Sequence, residues 1–238
     1  MGYESVTAPD KPLGIALVSG GMDSLVMAEF CRRESELALL HVNYGQRTEA
    51  RELACFHLIA GYLNVPGPRR LVADIGYLKA IGGSALTDGR IDVPRADLGR
   101  KEVPVTYVPF RNAHLLAIAV SWAEVLGAKA VYIGAVAADS SGYPDCRPEF
   151  YEAMNEAIRR GTKDGSGIVV KAPFLQLKKK DIVHMGKSMG VPFEHSWSCY
   201  REGDAACGVC DSCALRLRAF AEAGAVDPLP YETRPDYR

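Results

Sequence analysis

A chain of 238 residues with 28 Lys and Arg against 29 Asp and Glu has a formal net charge of −1, which gives no electrostatic footprint for nucleic acid or an anionic membrane. Apolar residues make up 48%, enough for the core of one large α/β domain, yet no apolar run approaches the ~20 residues of a membrane helix and no charged start with a long apolar core marks a leader. The expected setting is the cytoplasm, where thiols stay reduced, so the seven cysteines point to metal rather than disulfides.

In chain order, residues 1–12 are a lead-in. Ile15 to Val18 is a short apolar run that predicts a buried parallel strand. It feeds Ser19-Gly20-Gly21-Met22-Asp23-Ser24 and then a helical pattern from about Met22 to Arg33. A strand, a glycine turn and a helix N-terminus make an anion site, because the first N–H groups of a helix lack intrahelical partners. Gly20 and Gly21 permit a tight turn and close approach to an anion, and Ser19 and Ser24 add hydroxyl donors. Asp23 would repel phosphate, so it is expected to cap the helix or to hold the Mg²⁺ that travels with ATP. No Gly-Lys-Ser/Thr follows, so this is not a Walker A loop. It resembles the Ser-Gly-Gly-x-Asp-Ser loop of the N-type ATP pyrophosphatases, which cleave ATP between its α and β phosphates. The expected ATP-binding residues are Val18, Ser19, Gly20, Gly21, Met22, Asp23 and Ser24.

Leu37 to Val42 predicts a second strand, with Asn43-Tyr44-Gly45-Gln46-Arg47 as a loop at its carboxyl end. Thr48 can cap a helix reaching Leu63, with Ala50, Leu53, Ala54 and Leu58 on one face. Arg70 to Ile75 is a third strand. The order β-α-β-α-β demands a parallel, doubly wound sheet with right-handed crossovers. Residues 76–106 break the rhythm and predict a long loop, a feature usually tied to function. An apolar helix follows from His114 to Leu126, then a strand from Ala130 to Gly134, a helix from Pro148 to about Arg160, a strand from Ile168 to Ala172 and an amphipathic helix from Lys178 to Met189. The expected fold is α/β: a five-stranded, doubly wound parallel sheet of Rossmann-like, adenine nucleotide alpha hydrolase type. Residues 13–190 form this ATP-binding domain, 191–224 a small four-cysteine subdomain and 225–238 a tail.

Cys199, Cys207, Cys210 and Cys213 are separated by seven, two and two residues. Four thiolates saturate Zn²⁺ and leave no position for water, which predicts a structural ion tying the C-terminal segment to the body. An iron–sulfur cluster is the rival occupant. Cys213 opens a helix to Ala223. Cys31 and Cys55 fall on helix patterns as core residues, whereas Cys146 sits in a polar loop.

The segments Ser19 to Ser24, Asn43 to Arg47, Gly83 to Asp88, Val105 to Pro109 with Arg111 and Asn112, Ser141 to Phe150, Trp197 to Tyr200 and the last three cysteines together resemble the 7-cyano-7-deazaguanine synthases of the queuosine precursor pathway. The string Ser141-Gly-Tyr-Pro-Asp-Cys-Arg-Pro-Glu-Phe150 is more specific than the ATP loop. The likeness runs from Leu13 to Phe220; residues 90–101 and the tail past Gly224 lie outside it.

The resemblance implies ATP-dependent conversion of 7-carboxy-7-deazaguanine and ammonium, through an amide, to the nitrile. It implies no direct contact with nucleic acid. With no glutaminase segment in these residues, free ammonium is the expected donor. The resemblance and an exposed-looking apolar C-terminal helix imply a homodimer. Asp23, Arg111 and Lys178 are the expected catalytic groups; Lys178 opens a run of three lysines. Arg47, Tyr107, Tyr143, Asp145, Arg147 and Glu149 are the expected substrate contacts. A deazaguanine edge presents adjacent N–H donors that one carboxylate can accept, and Asp139, Asp145 and Glu149 compete for that role. Cys146 would be a nucleophile in a sulfur-transfer enzyme on the same scaffold. Nitrile formation needs none, so a structural or substrate-contact role is expected.

Overall fold

Alternation along the inner strands decides the architecture. Ile15 and Leu17 bury toward one face, Ala16 and Val18 toward the other, as the two-residue period of a strand requires. Both faces are apolar, so both need helices. The computed structural model describes residues 11–137 and 142–238, and supplies them in the order β1 (Leu13–Leu17), α1 (Met22–Cys31), β2 (Glu36–Asn43), α2 (Glu49–Tyr62), β3 (Arg70–Asp74), α3 (Tyr77–Ile81), α4 (Arg111–Leu126), β4 (Ala130–Ile133), α5 (Pro148–Gly161), β5 (Val169–Lys171), α6 (Lys179–Ser188) and α7 (Asp211–Glu222).

The sheet has the order β3-β2-β1-β4-β5, and every pairing is parallel. One core joins the strands to Phe56 and Ile59 of α2, Ile182 and Val183 of α6, and Phe220 of α7. The other joins them to Leu78 of α3, Leu116 and Val120 of α4, and Tyr151 and Ile158 of α5. The order in which strands are added reverses between β1 and β4: β2 and β3 extend the sheet to one side of β1, β4 and β5 to the other. In open α/β sheets that reversal leaves a crevice outside the strand carboxyl ends, where ligands bind. The glycine loop after β1 sits there. The five-stranded, doubly wound sheet expected from the sequence is therefore present, with the four cysteines gathered after it.

Local differences have local causes. The long loop contains the short helix α3, stopped by Gly82 at φ +78°. Helix α4 begins at Arg111 rather than His114, entered from Phe110 in the left-handed region at φ +55°. The buried face of α2 is Cys55, Phe56, Ile59 and Ala60, not Ala50, Leu53, Ala54 and Leu58; Leu58 is 50% exposed. The helix carries two apolar stripes, and packing on the sheet selected one. Nor is the apolar face of α7 exposed: Ala219 and Phe220 are buried, and the Phe220 ring meets Phe193 edge-on at 5.0 Å. Among the described residues no helix is long and apolar enough to cross a membrane.

Candidate active site

The glycine loop turns where side chains cannot follow. Gly20 has φ +87°, and a Cβ there would lie 2.5 Å from the Glu52 carbonyl oxygen, so only glycine fits. Gly21 then caps α1 without a side-chain bond. The Ser24 hydroxyl donates to the Gly21 carbonyl at 2.9 Å and lies 3.2 Å from the Ser19 hydroxyl. Across the crevice Gly134, just past β4, would place a Cβ 3.1 Å from the Asp23 backbone. These close approaches bring the N-terminus of α1, with its unpaired first N–H groups, against a cavity of about 300 Å³.

Val18, Ser19, Gly21, Met22, Asp23 and Ser24 line this cavity, together with Arg47, Arg111 and Tyr143. Asp23 does not cap the helix. Its Oδ2 pairs with the Lys179 ammonium, while Oδ1 is buried without a hydrogen-bond partner. The lysine that reaches the loop is thus Lys179, not Lys178. Lys178 caps α6 and points to solvent. Helix periodicity explains the difference: Lys179 stands three, four and seven residues before Ile182, Val183 and Gly186, the buried face of α6. Gly186 is itself required, since a Cβ would lie 2.4 Å from the Phe193 ring.

Arg111, in the first turn of α4, donates to the Tyr44 hydroxyl at 3.1 Å and lies 5.3 Å from that ring's centre. Burial works against its charge, and Tyr44, Tyr143 and Asp145 around it more than offset this, so its pKa is raised. Arg47 borders the cavity, but its Nη2 is spent on the carbonyls of Asp88 and Ile91 at 2.7 and 2.5 Å. It pins the long loop, leaving only Nε buried without a partner.

Asp145 does not line the cavity, and its Oδ1 is buried without a hydrogen-bond partner. Its Oδ2 accepts the Asn112 N–H and its carbonyl accepts the Asn112 amide, both at 2.9 Å. It therefore secures the N-terminus of α4 beside Arg111. Tyr107 lies behind the cavity wall, with its ring 5.5 Å from Tyr143 and its hydroxyl accepting the Phe110 N–H. Arg147 and Glu149 are exposed and do not line the cavity, because the turn before α5 directs them outward. Asp139 and Ser141 lie outside the described residues. Cys146 does border the cavity; burial pushes its thiol up to about 11.

Three charged lining residues were not among the expected site residues: Glu52, Lys179 and Arg216. Each lies on the buried stripe of its helix. Glu52 precedes Cys55, Phe56 and Ile59, and Arg216 precedes Ala219, Phe220 and Ala223, at spacings of three, four and seven. That spacing was the available signal. A charged residue in line with a buried stripe must meet a cavity or a buried partner.

The cysteine segment forms the remaining wall. Ser198, Cys199, Tyr200 and Arg216 border the cavity, and the Trp197 N–H donates to the Gly20 carbonyl at 2.8 Å. The four Sγ atoms of Cys199, Cys207, Cys210 and Cys213 lie within 4.8 Å of one another, all buried. Backbone N–H groups of Arg201 and Cys207 each point at Cys199 Sγ from 3.4 Å. The Cys199 thiol is held below its ordinary value, first by bonds with Cys210 and Cys213 and then by these N–H groups. A closed, buried set of four sulfurs fits a tetrahedral ion without an open position.

Two distant segments complete this wall. From one side Arg100 pairs with Asp211 at 2.8 Å, and the Asp97 N–H donates to the same carboxylate at 2.9 Å. From the other, the tail folds back. Asp227 holds the Arg216 guanidinium at 2.7 and 3.0 Å, Thr233 donates to the Cys207 carbonyl at 3.1 Å, and Tyr237 to that of Gly208 at 3.0 Å.

Known proteins place this arrangement. The family model described as queuosine biosynthesis protein QueC matches residues 14–224. A protein named 7-cyano-7-deazaguanine synthase from Koribacter versatilis (strain Ellin345) is 58% identical over 94% of this chain and 95% of its own length. One of the same name from Chlorobaculum parvum is 53% identical over 94% of this chain and 98% of its own. Among solved structures, NMN synthetase from Francisella tularensis aligns with 77% of this chain and 63% of its own, at 19% identity and a TM-score of 0.43. By the extent of the family match and the identity to these relatives, the chain belongs to the QueC family.

Proposed function

We infer that the chain uses ATP to convert 7-carboxy-7-deazaguanine and ammonium to 7-cyano-7-deazaguanine, the activity named for its relatives. The observation that carries the reading is the helix N-terminus of α1 opening at the sheet's reversal into a cavity shared with Arg111 and Lys179. A carboxylate is a poor electrophile. Its oxygen attacks the α-phosphorus of ATP and pyrophosphate leaves. Ammonia then attacks the acyl carbon, a proton is lost and AMP departs, giving the amide. The amide oxygen attacks a second ATP in the same way. Loss of AMP and of the remaining N–H protons leaves the nitrile.

Both activations build negative charge at the α-phosphate. The N–H groups of α1, the hydroxyls of Ser19 and Ser24, and the ammonium of Lys179 border the cavity and, turned toward the α-phosphate, would offset that charge. Arg111 offers the substrate carboxylate a fixed cation. The buried, unpartnered Oδ1 of Asp23 suits a hard cation; it would hold Mg²⁺, which would supply charge neutralisation for the phosphates of ATP. Zn²⁺ is the ion best matched by the four-cysteine set, where it would hold the wall rather than react.

The reading includes an ATP-binding domain over 13–190, a cysteine subdomain over 191–224, a cytoplasmic setting, a homodimer and no direct contact with nucleic acid. Val18 to Ser24 hold ATP, and Tyr143 faces the base. A sulfur-transferring relative would need Cys146 as thiolate. Burial, first, and the neighbouring Asp145 carboxylate raise its pKa and oppose that, outweighing the Asn112 amide that donates to its sulfur at 3.5 Å. The test is a single incubation with MgATP, ammonium and 7-carboxy-7-deazaguanine followed by mass spectrometry. The amide should appear transiently and the nitrile accumulate, with two AMP formed per nitrile. ATP consumed only when sulfide or another carboxylate is supplied would overturn the substrate.

A further inference from the structure

Two carboxylates border the cavity, Asp23 and Glu52. Asp23 is neutralised by Lys179. Glu52 is fixed by neutral donors alone: its Oε1 accepts the Thr48 hydroxyl at 2.6 Å and its Oε2 the Gln46 amide at 3.1 Å. Gln46 is itself oriented by the Tyr44 N–H, which donates to its Oε1 at 2.8 Å. Among the described residues Glu52 has no cation within ion-pair distance. Burial raises its pKa on balance, against the bonds from Thr48 and Gln46 and the more distant Arg111 charge, which lower it. A carboxylate oxygen accepts about two hydrogen bonds, so each oxygen keeps one acceptor position. A rigid carboxylate with two remaining acceptor positions matches a ligand edge bearing two parallel N–H donors, in the bidentate manner of a guanidinium.

The substrate has such an edge. On the side away from its carboxylate, a deazaguanine presents the ring N1–H and the exocyclic 2-amino group. The carboxylates first considered for it are placed elsewhere. Asp145 secures α4 and Glu149 faces solvent. Resting on the function proposed above, we propose that Glu52 is the residue that reads the donor edge of the 7-deazaguanine ring. Thr48 and Gln46 fix its carboxylate, and it sets the specificity for a 2-amino base.

The test compares the wild type, Glu52→Gln and Glu52→Asp on 7-carboxy-7-deazaguanine and on the analogue lacking the 2-amino group. The affinity of a non-hydrolysable ATP analogue, measured without base, serves as control. A site built to bond a donor rejects the analogue lacking it by up to about 10⁴–10⁵-fold, and about 10²-fold suffices to assign the role. In Glu52→Gln the KM for the natural base should rise about 100-fold with kcat changed less than about fivefold, and discrimination against the analogue should collapse to within a few fold. Glu52→Asp, which keeps the charge at shorter reach, should retain at least about tenfold discrimination. ATP-analogue affinity should stay within about twofold in both variants, as expected when only the base contact is lost. Unchanged discrimination in Glu52→Gln, with normal wild-type turnover, overturns this proposal alone. So does an equal loss of ATP-analogue affinity, which would place Glu52 on the nucleotide. A wild-type protein that does not turn over the base overturns the proposed function and this inference with it.

Discussion

The cavity has two walls made in opposite ways. The phosphate-loop wall comes from one short stretch, Val18 to Ser24, shaped by Gly20 at φ +87° and the first turn of α1. The cysteine wall is assembled from three segments far apart in sequence. These are the loop around Asp97 and Arg100, the run from Ser196 to Arg216, and the tail from Asp227 to Tyr237. A wall built locally needs only its own backbone geometry. A wall built from remote pieces must offset the entropy of bringing them together, here with four gathered thiols and a buried ion pair. The walls meet at the bond from the Trp197 N–H to the Gly20 carbonyl, so failure of the assembled wall should reach the local one.

The largest break is expected from disabling the four-cysteine site. Structural zinc in small finger peptides carries apparent binding energies of about 10–16 kcal/mol. Cys207→Ser should lose the ion and the wall together, with activity below about 1% and ATP-analogue affinity weaker by about tenfold, consistent with loss of a structural metal. Emission spectrometry and calorimetric titration report the two. Metal loss with unchanged nucleotide affinity would show that the walls are independent.

A smaller break targets the tail. The side chains of Arg216 and Asp227 are 2% and 0% exposed. Asp227→Asn leaves the guanidinium buried without its counter-charge, a change that costs about 3–5 kcal/mol. For a domain of this size that lowers the Tm by about 10 °C, readable by calorimetry. Replacing both residues by Met and Leu should recover much of the stability, because two charges are desolvated no longer. Activity should not return, because Ser196 and Ser198 lose the bonds of 2.9 and 3.2 Å that Arg216 makes to them.

On the local wall, Lys179→Ala should lower kcat/KM by about 10²–10³, the usual loss of one preorganised charge at a reacting phosphate. Lys178→Ala should change it less than about threefold, as for an exposed side chain away from the site. Steady-state rates on both variants decide between two adjacent lysines. The smallest effect is expected for Cys146→Ala. With its thiol pushed up to about 11, Cys146 is protonated at neutral pH and should resist alkylation. The variant should keep nitrile formation within about threefold, as for an interior group outside the chemistry. A larger loss would restore the nucleophile reading.

How legible each part was follows the same division. The sheet was readable because parallel strands buried on both faces are continuous apolar runs, as in Ile15 to Val18 and Leu37 to Val42. The ATP loop was readable because its geometry is specified by adjacent residues. The four cysteines were readable from spacing alone, since two-residue gaps wrap a tetrahedral ion. Arg147, Glu149 and Tyr107 belong to segments expected to converge on the site, and the turn geometry sends their side chains elsewhere.

The sequence by itself determined the period of each helix, the succession of strands and helices along the chain and the chemistry of the loop, because these depend on neighbours within one turn or one strand. Only the tertiary structure decided which face of each helix turns inward. Helix α2 buried Cys55, Phe56, Ile59 and Ala60 over an equally periodic rival stripe. That choice carried Glu52 to the cavity, as the buried faces of α6 and α7 carried Lys179 and Arg216. The physical reason is that a period fixes which residues share a face, whereas the sheet packed against it fixes which face is buried.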